Sequence, residues 1–254
     1  MTALLEAGGL TKRFAGVCAV DGVSFGVEAG RVHAVIGPNG AGKTTLFNLI
    51  TGFEKADGGE VRLDGRDVSG FPPHRLARLG VGRTFQTPQV CADLSALENV
   101  MLGAHLRLRR NPLLAMLRAG GIARGDRELR ERAAGLLEFA GIAPCRDLPG
   151  RAMAYGDLKR LEIARALAAE PRLLCLDEPA AGLNPRENED LGTLIRRIAE
   201  SGVTVLLVEH DMRLVMSLSD HIVVLDYGRK LAEGTPDEVG RNPEVLAAYL
   251  GTHA

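Results

Sequence analysis

"VIGPNGAGKTT", residues 35–45, decides the fold. An apolar run, "GRVHAVIG", leads into it, and a helix-forming run, "KTTLFNLITG", leads out and ends at Gly52. The stretch fits G-x-x-x-x-G-K-[ST] with Gly37, Gly42, Lys43 and Thr44. Glycines at these places let backbone N–H groups wrap phosphate oxygens. The lysine reaches the β- and γ-phosphates, and the hydroxyl can ligate Mg2+. A glycine-rich strand-to-helix turn can be purely structural, but the bare pattern arises by chance in roughly one chain in a hundred. The strand–helix context lowers that further. The loop thus predicts nucleotide binding through Gly37, Pro38, Asn39, Gly40, Ala41, Gly42, Lys43, Thr44 and Thr45.

Around this loop the chain alternates between two textures. The first third reads as β-rich: "AVDGVSFGVEAG" alternates apolar and small residues, and "EVRLDGRDV" is a hairpin turning at Asp64-Gly65. Residues 93–140 turn helical, with apolar side chains at three- and four-residue spacing in "LSALENVMLGAHLRLRR" and "DRELRERAAGLLEFAGI". From 172 onward strands and helices alternate: "RLLCLDE", "NPRENEDLGTLIRRIAES", "GVTVLLVEHD", "MRLVMSLS", then a terminal hairpin around Gly228. Such alternation implies a parallel sheet covered on both faces. The expected fold is α/β: a P-loop NTPase (RecA-like) core with an N-terminal antiparallel β subdomain and an inserted α-helical subdomain. The core and β subdomain would take 1–86 and 167–254, and the helical subdomain 87–166.

Composition narrows the function classes. The 254 residues are 46% hydrophobic, enough for a packed core, and the net charge of -1 provides no global field for nucleic acid. Cys18, Cys91, Cys145 and Cys175 lie far apart with no C-x-x-C, which argues against a zinc site or a disulfide framework. The start, "MTALLEAGGLTKRF", has no basic segment followed by a long apolar one, and no run approaches the roughly 20 apolar residues of a membrane span. A soluble, cytosolic chain is expected.

Three strand tips add chemistry. "RLLCLDEP" ends an apolar strand in Asp177 and Glu178, where ligands gather at the carboxyl edge of a parallel sheet. Adjacent strand residues point opposite ways, so the backbone must turn there for both acids to serve; Pro179 fits that. Asp177 can hold Mg2+ through its water shell, and Glu178 can face a γ-phosphate. "LLVEHD" repeats the geometry with His210 at the tip and Asp211 placed to cap the next helix. "VGRTFQTP" sets Gln86 just past another short strand, with an acceptor and two donors for Mg2+ or water. "AMAYGDLKRLEIARAL", 152–167, is a helix start ready for an anion but without a P-loop lysine pattern of its own.

These pieces in this order resemble the ATP-binding subunits of ABC transporters over essentially the whole chain. Residues 37–45 match the Walker A motif, Gln86 the Q-loop, 153–157 the signature loop, 173–178 Walker B, "AGLNP" the D-loop and His210 the H-loop. Phe14, 23 residues before Gly37, resembles the aromatic that stacks on adenine; a core phenylalanine at a strand end is the other reading of it. "GVGRTFQ", "LDEPAAGLNP", "EHDM" and "AYLG" are most similar to the cassettes of branched-chain amino acid importers.

The resemblance implies hydrolysis of ATP with Mg2+: catalytic roles for Glu178, His210 and Gln86, and metal contacts from Thr44, Gln86 and Asp177. Ala154, Tyr155, Gly156 and Asp157 would meet the ATP of a facing subunit. It further implies partners: a second cassette (a paralogue rather than a copy, by the branch resemblance), integral membrane permeases and, indirectly, a solute-binding protein. Nucleic acid is not implied. The chain would then work on the inner face of the cell membrane. Importers of other amino acids, amides or urea use similar cassettes. An ABC ATPase without transport would typically show twin cassettes, zinc modules or coiled coils, and a small-molecule kinase would not explain Gln86, the signature loop and His210 together.

Two departures stand out. Where the wider family has Leu-Ser-Gly-Gly-Gln, this chain has Met153, Ala154, Tyr155, Gly156 and Asp157, and where it usually has a D-loop aspartate, this chain has Asn184. The serine contact to γ-phosphate cannot form here. The block Arg107–Arg132, eight arginines against three acids, is read as a solvated helical face ahead of contact with anionic lipid headgroups.

Overall fold

The strand that feeds the glycine loop, β3 (Val32–Ile36), is buried at every position. A computed structural model describes residues 3–104 and 119–250. In it β3 is flanked by two parallel neighbours, β8 (Thr204–Val208) and β9 (His221–Asp226). β7 (Leu173–Asp177) pairs with β8, β6 (Val81–Arg83) with β7, and β10 (Arg229–Gly234) joins β9 antiparallel. The order is β10-β9-β3-β8-β7-β6. β7 and β8 are likewise buried throughout, as strands covered on both faces must be, and their sequences are unbroken apolar runs for that reason.

A second sheet, order β2-β1-β4-β5, is antiparallel: β1 (Ala3–Phe14), β2 (Val17–Glu28), β4 (Gly58–Leu63) and β5 (Arg66–Asp67). The Asp64-Gly65 turn is as expected: both residues have positive φ, 53° and 73°, the two-residue turn whose twist suits a hairpin. Sequence reading began the first strand at Ala19 and missed β1. Gly8 and Gly9 break its alternation, and the register with β2 slips between Ala7 and Leu10. Helix α1 (Lys43–Ile50) buries Leu46, Phe47, Leu49 and Ile50 in an apolar cluster with Leu5, Leu10, Val20 and Val23 of this sheet and Val35, Leu206 and Val208 of the other. Each such side chain contributes about 1.5–3 kcal/mol by leaving water. The P-loop helix is thus anchored along its length.

The chain divides into two compact units, Met1–Gln86 with Arg172–Ala254, and Thr87–Pro171. Between β5 and β6 the first unit holds α2 (Pro73–Arg78). In the second unit α3 (Ala96–Gly103), α4 (Ala119–Phe139) and α5 (Tyr155–Leu167) pack on one another. Ser95 and Glu98 form a capping box that starts α3. A Cβ on Gly103 would lie 2.1 Å from the Arg165 carbonyl oxygen, so glycine permits the close approach of α3 and α5. Residue 166 lies inside the last turn of α5, and the unit continues to Pro171 rather than stopping there. Of the arginine block, Arg107, Arg109, Arg110 and Arg118 lie outside the described residues. Arg127 pairs with Glu131 and Arg132 with Glu170, all four exposed, which fits a solvated face. Beyond β7 the first unit continues with α6 (Pro185–Glu200), α7 (Met212–Leu218), α8 (Pro236–Gly240) and α9 (Pro243–Leu250). Among the described residues no helix is long and apolar enough to cross a membrane.

Candidate nucleotide site

The loop between β3 and α1 is built so that only glycine fits at its two ends. Gly37 and Gly42 have φ of +153° and +94°, and a Cβ on either would lie 2.2 Å from a backbone oxygen, that of Leu225 or Ala19. Between them Asn39 and Gly40 are exposed and Ala41 is buried. The Gly228 amide donates to the Ala41 carbonyl at 3.1 Å, so the β9–β10 turn braces the loop from behind. Lys43 Nζ donates to the carbonyls of Gly37 at 2.7 Å and Pro38 at 3.0 Å. Burial pushes its ammonium below the usual lysine range, and nearby Glu178 partly opposes this. A charge held this way, at the N-terminal end of a helix, suits a dense anion. Thr44 is exposed and Thr45 half-buried at the first turn of α1.

At the tip of β7 the backbone does turn, at Glu178 itself. Its φ is +43°, a left-handed conformation uncommon for a residue with a side chain, and its amide still donates to Val208 O at 2.9 Å. Gln86 Nε2 donates to Glu178 Oε2 at 2.8 Å, and His210 Nδ1 lies 3.8 Å from the same oxygen. Three sequence-predicted residues from three strand ends therefore meet at one carboxylate. His210 is exposed at its side chain and Glu178 largely covered. Asp211 caps α7 by accepting from the Arg213 and Leu214 amides.

Asp177, expected as a metal contact, also has a protein partner on one of its two oxygens. Its Oδ2 accepts from Arg83 Nη2 at 2.8 Å, while Arg83 Nη1 donates to Thr51 Oγ1. The guanidinium lies against the rings of Phe47, Phe53 and Phe85. Sequence reasoning passed over Arg83 and also Glu209. The latter is fully buried and accepts from the amides of Ala180 at 2.7 Å, His210 at 2.9 Å and Asp211 at 3.3 Å. Glu209 thereby fixes both tip loops to one another. Its signal was an acid closing an apolar strand just before the histidine.

Phe14 ends β1 with 42% of its surface exposed and Lys12 Nζ 5.1 Å from its ring centre. The core-phenylalanine reading of Phe14 is therefore excluded. Tyr249 of α9 is drawn in as well: burial pushes its phenol up to about 12, opposed in part by the Gly37 backbone amide. In the second unit, Ala154 is the extended residue that starts α5, with no side-chain cap. The first-turn amides thus lack the usual capping acceptor. Ala154 and Tyr155 are exposed and Gly156 is buried, while Asp157 Oδ2 accepts from Cys145 Sγ at 3.7 Å. The Lys159 ammonium lies 5.6 Å from the Tyr155 ring centre. Asn184 caps α6, accepting from the Glu187 amide at 3.0 Å, and the Glu187 carboxylate returns to the Asn184 amide at 2.9 Å.

Comparison with known proteins fits this geometry. Residues 20–181 match the family described as ABC transporter, and 229–254 match one described as branched-chain amino acid ATP-binding cassette transporter. The chain is 49% identical to the high-affinity branched-chain amino acid transport ATP-binding protein BraF of Pseudomonas aeruginosa, over 98% of each. It is 42% identical to the corresponding protein LivG of Escherichia coli, again over 98% of each. A crystal structure of a nucleotide-free ATP-binding cassette from an ABC transporter superposes with a TM-score of 0.84 at 34% identity, covering 98% of this chain and 99% of that one. An ADP conformation of an ATP-binding cassette gives 0.85 at 33%, covering 99% and 100%. With a P-loop, two acidic strand tips and full-length relatives of one kind, the chain belongs to the ABC transporter family as an ATP-binding cassette.

Proposed function

We infer that the chain is the ATP-hydrolysing subunit of an importer for branched-chain amino acids. The observation that carries the hydrolase half is the meeting of Gln86 and His210 at Glu178 Oε2, in the unit that holds the P-loop. The solute follows from the relatives, whose names give branched-chain amino acid transport, and from the matching C-terminal segment.

In this reading Lys43 and the backbone N–H groups of the 37–45 loop, all but that of Pro38, hold the phosphates, and Phe14 offers its exposed ring to the base. Mg2+ would be held by Thr44, Gln86 and Asp177, all oxygen donors, which is the hard-ligand set that ion prefers alongside substrate phosphates. Bound there, it neutralises phosphate charge. Glu178 polarises the attacking water, a role typically worth about 10²–10⁴-fold. Gln86 and His210 orient that water and the γ-phosphate. Phosphoryl transfer to water needs chiefly positioning and charge stabilisation, and these groups supply both.

Ala154, Tyr155, Gly156 and Asp157 serve the nucleotide of a facing cassette. Dimeric structures of related cassettes are known, one superposing at a TM-score of 0.78 and 26% identity over 91% of this chain. With Ala154 in place of serine, their hold on γ-phosphate comes from backbone amides and the helix dipole. ATP then acts as a ligand for the closed pair and shifts the population toward it. Closure moves permease partners at the membrane, with a solute-binding protein delivering the amino acid.

Lys43→Ala is expected to weaken ATP binding more than about tenfold, as befits loss of a charge-assisted contact. Unchanged affinity in a titration removes the P-loop reading. Uptake of labelled leucine in cells with and without this subunit tests the solute; equal uptake removes it.

A further inference from the structure

A buried arginine beside the acids of the site needs a reason, because an ion pair taken out of water is weak evidence for stability. The Arg83 and Asp177 side chains are 8% and 10% exposed. Phe47, Phe53 and Phe85 hold their ring centres 5.1, 4.8 and 5.1 Å from the guanidinium carbon. Methionine or leucine would fill that cage with no charge to desolvate. Arg83 Nε is moreover buried without an acceptor.

What a guanidinium adds is a rigid fork. One prong takes Thr51, which closes α1, the helix of the P-loop. The other takes Asp177 Oδ2 at the tip of β7. The fork itself stands on β6, three residues before Gln86. Three aromatic rings around the guanidinium hold the planar cation in one orientation. With Oδ2 so occupied, the Asp177 carboxylate is fixed in one rotation and presents its second oxygen in one direction.

We propose that Arg83 is a positioning residue for the metal-binding carboxylate: it aims Asp177 and ties that aim to the strand leading to Gln86 and to the end of the P-loop helix. The inference rests on the reading of Asp177 and Gln86 as metal contacts given above. Movement of the segment that carries Gln86 then reaches the Asp177 carboxylate through this side chain as well as through the β6–β7 pairing.

The test uses the full chain and a fluorescent ATP analogue, titrated in EDTA and across a Mg2+ series. Arg83→Lys keeps the charge and loses the planar fork, so charge alone explains no change. Its affinity in EDTA should stay within about twofold of the parent, while the Mg2+ needed to tighten binding rises about tenfold or more, as when a ligand's orienting partner is lost. Phe53→Leu, at a ring 47% exposed, loosens the cage with less risk to folding and should shift the Mg2+ requirement by about threefold. In an Asp177→Asn background, Arg83→Lys should add no further shift, because the two residues act as one. An unchanged Mg2+ requirement with a lowered Tm makes Arg83 merely structural and overturns the proposal. Equal loss of affinity with and without Mg2+ overturns it too. A parent chain that binds no nucleotide removes the reading of the site as well, whereas a normal parent beside an unshifted Arg83→Lys removes this proposal alone.

Discussion

Glu178 sits where its backbone is least at ease. A φ of +43° for a residue with a Cβ stores roughly 1–3 kcal/mol that the surrounding structure must offset. The Glu178 amide bond to Val208 O and the buried Glu209 beneath the Ala180 amide hold the turn in place. The strain is what brings Glu178 to Gln86 and His210, so the carboxylate rather than the shape should matter for turnover. Glu178→Gln keeps size and an acceptor oxygen. We expect ATP affinity within about twofold of the parent and phosphate release slowed by about 10²–10⁴-fold, the usual worth of a general base. Phosphate release near the parental rate would take Glu178 out of that role. Lys43, Asp177, Glu178, Gln86 and His210 were legible because each is a polar residue at a glycine loop or a strand tip, a signal carried within ten residues of chain. Arg83 was not. Its meaning lies in three of the chain's seven phenylalanines, and Phe47 and Phe53 reach it from about thirty residues away in sequence.

Helix starts are where the elements of this chain show their own chemistry. Asn184, Ser95 and Thr235 each share a capping box with an acid three residues on, and Asp211 caps α7. The Asn184 departure from the family's aspartate therefore costs the helix little, since both side chains accept from the N3 amide equally well. Asn184→Asp should change the urea midpoint by no more than a few tenths of a kcal/mol in stability, while Asn184→Ala should lose about 1 kcal/mol. A larger loss for aspartate than for alanine would show that capping is not what this residue does. Buried parallel strands and the Asp211 cap were plain in the sequence for the same local reason, whereas the capping boxes at Ser95, Asn184 and Thr235 came to light only in the structure. β1 was hidden because its Gly8-Gly9 bulge interrupts the two-residue period that marks a strand, and only pairing with both β2 and β4 makes it one.

On the scale of the whole chain, the nucleotide residues and the signature segment belong to different units. If the signature segment serves a facing cassette as proposed, Gly156→Leu should leave ATP binding by the first unit intact and abolish hydrolysis; turnover that survives would end the shared-site reading. Stability of the first unit should follow pH through a single buried imidazole. His33 is 2% exposed on β3, where its Nε2 accepts from the Glu28 amide at 2.9 Å. Burial first, then the His221 ring 5.6 Å away, lower its pKa from 6.5 to about 4, against the opposing pull of Glu28 and Asp220. Between those values the unfolded chain binds the proton and the folded chain does not, so stability is full at pH 7 and falls as pH drops. The loss from His33 alone should reach about 2 kcal/mol at pH 5. His33→Gln keeps an acceptor near the Glu28 amide and cannot titrate. Urea unfolding at pH 7 and pH 5 should therefore separate the two chains: the parent's midpoint drops by that amount more than the variant's, because the exposed carboxylates with lowered pKa, such as Asp57 and Glu98, lose their contribution only nearer pH 4 in both. Parallel drops would mean that the folded chain protonates His33 as readily as the unfolded one, and that the sheet bearing the P-loop accepts that charge at its centre.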